Sequence, residues 1–246
     1  MLVPARRDDP EILDRPGNDP GDLEAALRDI RSVNTRLGGS RILREAVDPF
    51  LDWLGDGETL EILDVGAGGG DLLVDLAEHA ASRGKRVRIV GVERDPTVAG
   101  IARRWVAGRS EIEIVEGDAF RLPFAEGSFD IVTASLFLHH FAYQEAVILL
   151  RRLRVIARKA VVVNDLRRHL VPWAFIAVAS RIARRHAMFV HDAPLSVLRG
   201  FTADELVAAA QDAGAVGATV IRRWPFRLMA VLPGAGRRAA APGPGR

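Results

Sequence analysis

The chain has 246 residues, 48% hydrophobic and 27% charged, with a formal net charge of +2 at pH 7. That length suits one globular α/β domain with small additions, and the absence of cysteine excludes disulfides, thiolate zinc sites and a cysteine nucleophile. Near-balanced charge, with only Lys85 and Lys159 as lysines, argues against a mainly electrostatic nucleic-acid partner.

Residues 1–20 carry prolines at 4, 10, 16 and 20 with mixed charges, and are expected to be irregular. Met1 to Arg7 has no apolar signal core, which predicts a cytoplasmic protein. Asp22 to Leu37 reads as a helix, with Leu23, Leu27, Ile30 and Val33 or Leu37 on one face. Gly38-Gly39 stops it, and Ser40 is the expected cap of a second helix running through Trp53. Together these helices make up an expected N-terminal cap over residues 21–58, ahead of a core at 59–232.

Leu60-Glu61-Ile62-Leu63-Asp64-Val65 has buried-strand character and runs into Gly66-Ala67-Gly68-Gly69-Gly70, with a helix opening at Asp71. A strand ending in a glycine turn lets a ligand approach the backbone, and the helix behind it offers unpaired N–H groups. A dinucleotide loop would need Gly or Ala where Asp71 stands, and a P-loop would need Gly-Lys-Ser/Thr. The remaining pattern is D-x-G-x-G-x-G. Arg86 to Glu93 reads as a second strand ending in an acid 29 residues after Asp64, where a carboxylate accepts from ribose hydroxyls in parallel α/β folds. Ile112 to Val115 is a third strand leading into Asp118-Ala119-Phe120. Ser128 to Ser135 is a fourth, followed by Leu138-His139-His140-Phe141.

These four segments, in this order over residues 60–141, resemble the cofactor core of class I S-adenosylmethionine (SAM) methyltransferases. The resemblance implies a Rossmann-like α/β fold: a seven-stranded, mostly parallel sheet with helices on both faces. It also implies an N-terminal helical lid and a helical insertion after the fifth strand. The implied cofactor is SAM, leaving as S-adenosylhomocysteine (SAH), and the implied contacts are Asp64, Gly66, Ala67, Gly68 and Gly70 near the methionine portion. Glu93 and Arg94 fall at the ribose, Asp118, Ala119 and Phe120 at the adenine, and Ser135 beyond the fourth strand.

Tyr143 to Ala157 has Ala146, Leu149, Leu150, Leu153 and Ile156 at helical spacing, and Ala160 to Val163 is an apolar run expected of a doubly covered strand. Residues 165–200 exceed the short connection a bare core needs. Their stretch Leu170 to Ala179 is nearly all apolar but too short to span a membrane, which takes about 20 residues. Three readings stand: a substrate lid with Trp173 and Phe175 lining an apolar pocket, a helix simply packed into the domain, or an interfacial helix touching a membrane between the basic flanks of 167–186. Thr202-Ala203-Asp204-Glu205 is a capping box for a helix ended by Gly214. Val216 to Val231 supplies the last two strands, with Pro225 near their turn. The Gly-, Pro-, Ala- and Arg-rich tail 233–246 is expected to be disordered.

Asn164 to Arg168 and His191 to Phe201 resemble, more loosely, the ubiquinone/menaquinone methyltransferase group and relatives in polyketide or phenolic-lipid pathways of secondary metabolism. The acceptor this implies is a small aromatic, phenolic or quinone-like molecule methylated on oxygen or carbon. Such chemistry needs positioning and a base, and histidine is the natural one. The candidates are His139 and His140, then His191 and Asp165, with His139 as readily a structural hydrogen-bonder under the pocket. The histidines show no H-x-x-x-H or H-E-x-x-H spacing, so no metal is expected. Ser135-Leu136-Phe137-Leu138 lacks the N/D-P-P-Y/F signature of N6-amine methyltransferases, which disfavours a protein or RNA substrate. A non-catalytic SAM- or SAH-binding subunit is the alternative from another functional class.

Overall fold

The computed structural model describes residues 2–236. Its strands are β1 (Thr59–Val65), β2 (Arg86–Glu93), β3 (Ile112–Glu116), β4 (Phe129–Ser135), β5 (Ala157–Leu166), β6 (Thr219–Arg223) and β7 (Arg227–Pro233). They form one sheet in the order β3-β2-β1-β4-β5-β7-β6, parallel except for β7, which runs antiparallel to both β5 and β6. The expected seven-stranded Rossmann-like sheet is present. The order reverses between β1 and β4, and a crevice at the carboxyl ends of the strands on either side of such a switch is where open α/β sheets bind ligands.

The helices are α1 (Pro20–Arg36), α2 (Gly39–Asp52), α3 (Asp71–Ser82), α4 (Pro96–Trp105), α5 (Tyr143–Ile156), α6 (Leu170–Ile182), α7 (Ala187–Arg199) and α8 (Ala203–Asp212). One apolar core joins α5 and α8 to the sheet, and a second joins α2, α3 and α4 to it. All seven residues of β4 are buried, as a strand between two helical layers requires. Among the described residues no helix is long and apolar enough to cross a membrane.

Several local expectations change. Ser40 does not cap α2: Gly38 precedes the helix with φ 76°, and Ser40 is buried inside the first turn. β5 is longer than its apolar run because polar residues continue it at both ends. At its start Arg158 Nη2 lies 3.1 Å from Asp130 Oδ2, and at its end Asn164 and Asp165 are buried. The capping box of α8 forms as expected, Glu205 N donating to Thr202 Oγ1 and Thr202 N to Glu205 Oε2. Of the segment read as a disordered tail, Pro233 ends β7 and Gly234 N donates to Lys159 O, while 237–246 lie outside the described residues.

Residues 2–19 contain no helix or strand, yet they are pinned across the site. Arg6 donates to the carbonyls of Arg199 and Phe141, and the Ile12 and Leu13 amides donate to the Asp192 carboxylate.

Candidate functional site

A cavity of about 860 Å³ opens at the switch point between β1 and β4. That lies within the range of roughly 300–1,000 Å³ usual for small-molecule sites. Its floor is the glycine loop between β1 and α3. Gly66 has φ 79°, and a Cβ there would stand 2.2 Å from the Phe137 ring, so only glycine fits. Gly70 has φ 75° and sets the start of α3 instead of facing the cavity. Asp64, Gly66, Ala67 and Gly68 all line it.

Three carboxylates gather at this end. Asp64, fully buried, accepts from Thr133 Oγ1 at 2.5 Å, and burial, with Asp71 and Glu93 nearby, raises its pKa to about 7. Burial also raises Asp71, which accepts from Asn34 Nδ2 at 3.1 Å, and Glu93. Glu93 holds the loop: its Oε2 accepts from Gly68 N at 3.0 Å and its Oε1 from Asp95 N at 2.9 Å. Since the folded pKa of Asp64 exceeds its unfolded value, this group costs the ligand-free protein stability as pH rises from about 4 to 7. A bound cation offsets that cost. SAM carries a sulfonium and an ammonium, so these residues fit it. Ser135 Oγ, buried in the cavity wall without a partner, is a further polar group available to a ligand. Asp118 Oδ1 accepts from Phe120 N at 2.8 Å, and Arg94, Asp118, Ala119 and Phe120 line the same end.

At the other end the turn Leu138–His140 sets two imidazoles 4.3 Å apart, ring to ring. Their environments differ. His139 Nδ1 lies 2.7 Å from Asp165 Oδ1, its Nε2 lies 3.5 Å from Glu11 Oε1, and its backbone N donates to Asp165 Oδ2. Burial pushes its pKa down, but the two carboxylates outweigh that and raise it to about 10. The raised value favours the imidazolium near neutral pH, which makes His139 the less suited of the two rings to accept a proton. His140 Nδ1 lies 2.7 Å from Asp14 Oδ2, whose pKa is lowered: burial opposes ionisation, but the His140 hydrogen bond and the nearby charges of His140, Arg199 and His139 together outweigh it. A carboxylate only accepts, so Nδ1 donates to Asp14 and Nε2 is the nitrogen that Asp14 does not engage, on a ring that lines the cavity.

Two other candidates move. Asp165 is not at the pocket mouth but buried within β5 behind His139. His191 sits outside the cavity, half exposed, with Nδ1 on its neighbour Asp192. Of the two aromatic residues expected in the lid, Phe175 lines the cavity and Trp173 does not. Glu11, Asp14 and Arg227, which no motif singled out, join the site from distant parts of the chain, together with Asp192 and Arg199 from the segment His191 to Phe201. Arg199 donates to the carbonyls of His139 and His140, fixing the turn. Glu11, His139 and His140 offer donor atoms within 4.8 Å of one another, a grouping that ligand spacing in sequence does not reveal. Within it the His139 ring lies between the carboxylates of Glu11 and Asp165.

His139→Gln leaves Glu11 and Asp165 buried without their cation, a loss of about 3–5 kcal/mol. Thermal denaturation should show Tm lower by roughly 10 °C. Because the folded pKa of His139 lies above its unfolded value, its contribution is complete below about pH 6.5 and disappears as pH rises through about 10. The variant should lack that alkaline loss. An unchanged Tm would remove the imidazolium from the account.

A family model described as a methyltransferase domain matches residues 62–160. The demethylmenaquinone methyltransferase of Thermus thermophilus is 39% identical over 88 residues, a match spanning 35% of this chain and 38% of that protein. Among solved structures, the CurJ carbon methyltransferase superposes with TM-score 0.66 at 11% identity, covering 91% of this chain and 63% of that one. Human N-acetylserotonin methyltransferase in complex with SAM gives 0.62 at 16% identity, covering 88% and 56%. At such identities the two structures speak for the fold, while the family-model match, residues 62–160, includes the glycine loop and Glu93. Over residues 62–160 the chain is similar to the methyltransferase-domain family, and it carries that match on the Rossmann-like fold that these structures share.

Proposed function

We propose that the protein transfers a methyl group from SAM to oxygen or carbon of a small aromatic, phenolic or quinone-like acceptor, as a cytoplasmic enzyme of secondary metabolism. The observation that carries this reading is one cavity holding both the acidic glycine-loop end and the His140–Asp14 pair. When bound, SAM supplies a methyl carbon already activated by its sulfonium. The chain's part is positioning and proton handling. The loop and Glu93 hold the nucleoside, and Asp64 and Asp71 face the cationic portion. Phe137, Phe141 and Phe189 line the acceptor end and exclude water. His140 Nε2 takes the acceptor's proton while Asp14 keeps the ring oriented. Holding acceptor and methyl in line supplies much of the acceleration.

The test is transfer of labelled methyl from SAM to a panel of phenols, naphthols and hydroquinones. Product with any of them supports the reading. SAH binding with no turnover across the panel would favour a non-catalytic cofactor-binding subunit, and labelled protein or RNA a polymer substrate.

The α6–α7 insertion serves as a lid in this reading, since Pro172, Phe175 and Ile176 line the cavity. A second role draws on its outer face, where Val171, Val178 and Ile182 are exposed and Arg181 and Arg184 stand beside them. Phe175 leads on through Phe226 to Trp224, with ring centroids 5.5 and 5.6 Å apart. Such a face suits an anionic lipid surface, each arginine adding about 1 kcal/mol. The protein should co-sediment with phosphatidylglycerol vesicles, less with phosphatidylcholine, and V178E/I182E should release it. Equal recovery with and without vesicles would end this second role.

A further inference from the structure

One buried cation in the cavity wall forms no ion pair among the described residues. Arg227 opens β7 opposite Leu166 of β5, is 2% exposed, and lines the cavity. Its Nη2 donates to Asn34 Oδ1 at 3.0 Å, while Nη1 has no partner. The other buried arginines are better provided for. Arg168 pairs with Glu205, and Arg199 lies 3.9 Å from Glu11 Oε1 and donates to backbone carbonyls. Burial lowers the Arg227 pKa to about 10, with Asp165 and Asp71 pulling the other way, so it stays charged at neutral pH. A buried charge is retained at a cost unless something pairs with it.

Two more orphaned polar atoms lie on the neighbouring strands. Ser135 Oγ of β4 and Asn164 Oδ1 of β5 are buried without partners, and the two residues are in register. Of these, Ser135 lines the cavity with Arg227, where the apolar walls include Leu166, Pro172, Phe175 and Phe226, while Asn164 lies behind it. Within a cavity otherwise rich in carboxylates, this corner sets a fixed guanidinium with an unused donor beside apolar walls, which favours a hydrophobic ring bearing one anionic oxygen group.

We propose that Arg227 is the acceptor-recognition residue, and that the acceptor carries a carboxylate or phenolate which Nη1 receives. This rests on the methyl-transfer reading, because it assigns a group in that same cavity, linked through Asn34 to Asp71. The same guanidinium would also fit the cofactor's own carboxylate, and the experiment separates the two sources.

The probes are 2-naphthoate and its neutral isostere 2-naphthamide, titrated calorimetrically into wild-type protein and R227Q, each saturated with SAH. Wild type should bind the naphthoate at least tenfold more tightly than the amide. R227Q should lose that preference while its SAH Kd stays within twofold. Equal affinity for the two probes, or no naphthoate binding at millimolar concentration, overturns the assignment, and the wild-type comparison decides this even if R227Q does not fold. Loss of SAH binding in folded R227Q gives the guanidinium to the cofactor and equally overturns it. Wild type that binds no SAH is a different result, which removes the methyltransferase reading itself.

Discussion

His140→Asn should lower turnover by about 10²–10⁴-fold on any phenolic acceptor the protein methylates, the range expected for loss of a general base. SAH affinity should stay within about twofold, because the imidazole lies at the acceptor end and the cofactor residues are untouched. The ring is partly exposed to the cavity, and its Nδ1 is committed to Asp14, so removing it deletes the Nε2 that Asp14 does not engage without stranding a buried ion pair. Asp14→Asn should give a smaller loss of kcat, since it releases the ring from its orientation but leaves the base in place. The neighbouring residue supplies the contrast. His139→Gln should act on Tm, and His140→Asn on kcat, although the rings are 4.3 Å apart. Full activity in His140→Asn would mean that the acceptor arrives already deprotonated or that another group takes its proton.

Gly66→Ala should abolish cofactor binding, with a rise in SAH Kd of more than a hundredfold. Two effects add. The backbone holds φ 79°, a region that costs an L-residue with a Cβ roughly 1–2 kcal/mol. The new Cβ also falls 2.2 Å from the Phe137 ring, which packs edge-on against Phe141 at a centroid distance of 5.0 Å. Relief requires the loop or the ring to move, and either displaces the Gly68 amide from Glu93 or opens the acceptor wall. Gly84→Ala is the control. Its φ is 68°, but nothing lies within 4 Å of the added methyl, so it bears the backbone strain alone and SAH binding should be unchanged. Equal losses in the two variants would make the effect one of general stability.

The cofactor end was legible because its parts are contiguous. A strand, a glycine turn and a helix start follow one another within residues 60–71, and Glu93 closes the next parallel strand at the spacing a βαβ unit imposes. The pairing of Asp64 with Gly91 and Val65 with Val92 then brings the two acids to one edge without any long-range information. The acceptor end is assembled otherwise. Glu11 and Asp14 come from a segment with no periodicity at all, and Arg227 from the far side of a hairpin. Nothing local marks them, because each is placed by tertiary packing. The two adjacent histidines looked alike in sequence and were divided by partners 126 and 26 residues away, Asp14 and Asp165. β5 was underestimated for a related reason. Arg158 and Asp165 interrupt the apolar pattern, and only Asp130 and His139 on neighbouring elements explain why a strand carries them.

The most direct test of a cofactor core here is calorimetric titration of the wild-type protein and Glu93→Ala with SAM and SAH. Glu93 both holds the Gly68 amide and lines the cavity, so its loss removes a cavity carboxylate and the loop's anchor together. Micromolar binding of both compounds by wild type, lost in the variant, is the expected result. Wild-type protein that binds neither compound would contradict the cofactor assignment, and the roles given to His140, Asp14 and Arg227 would fall with it.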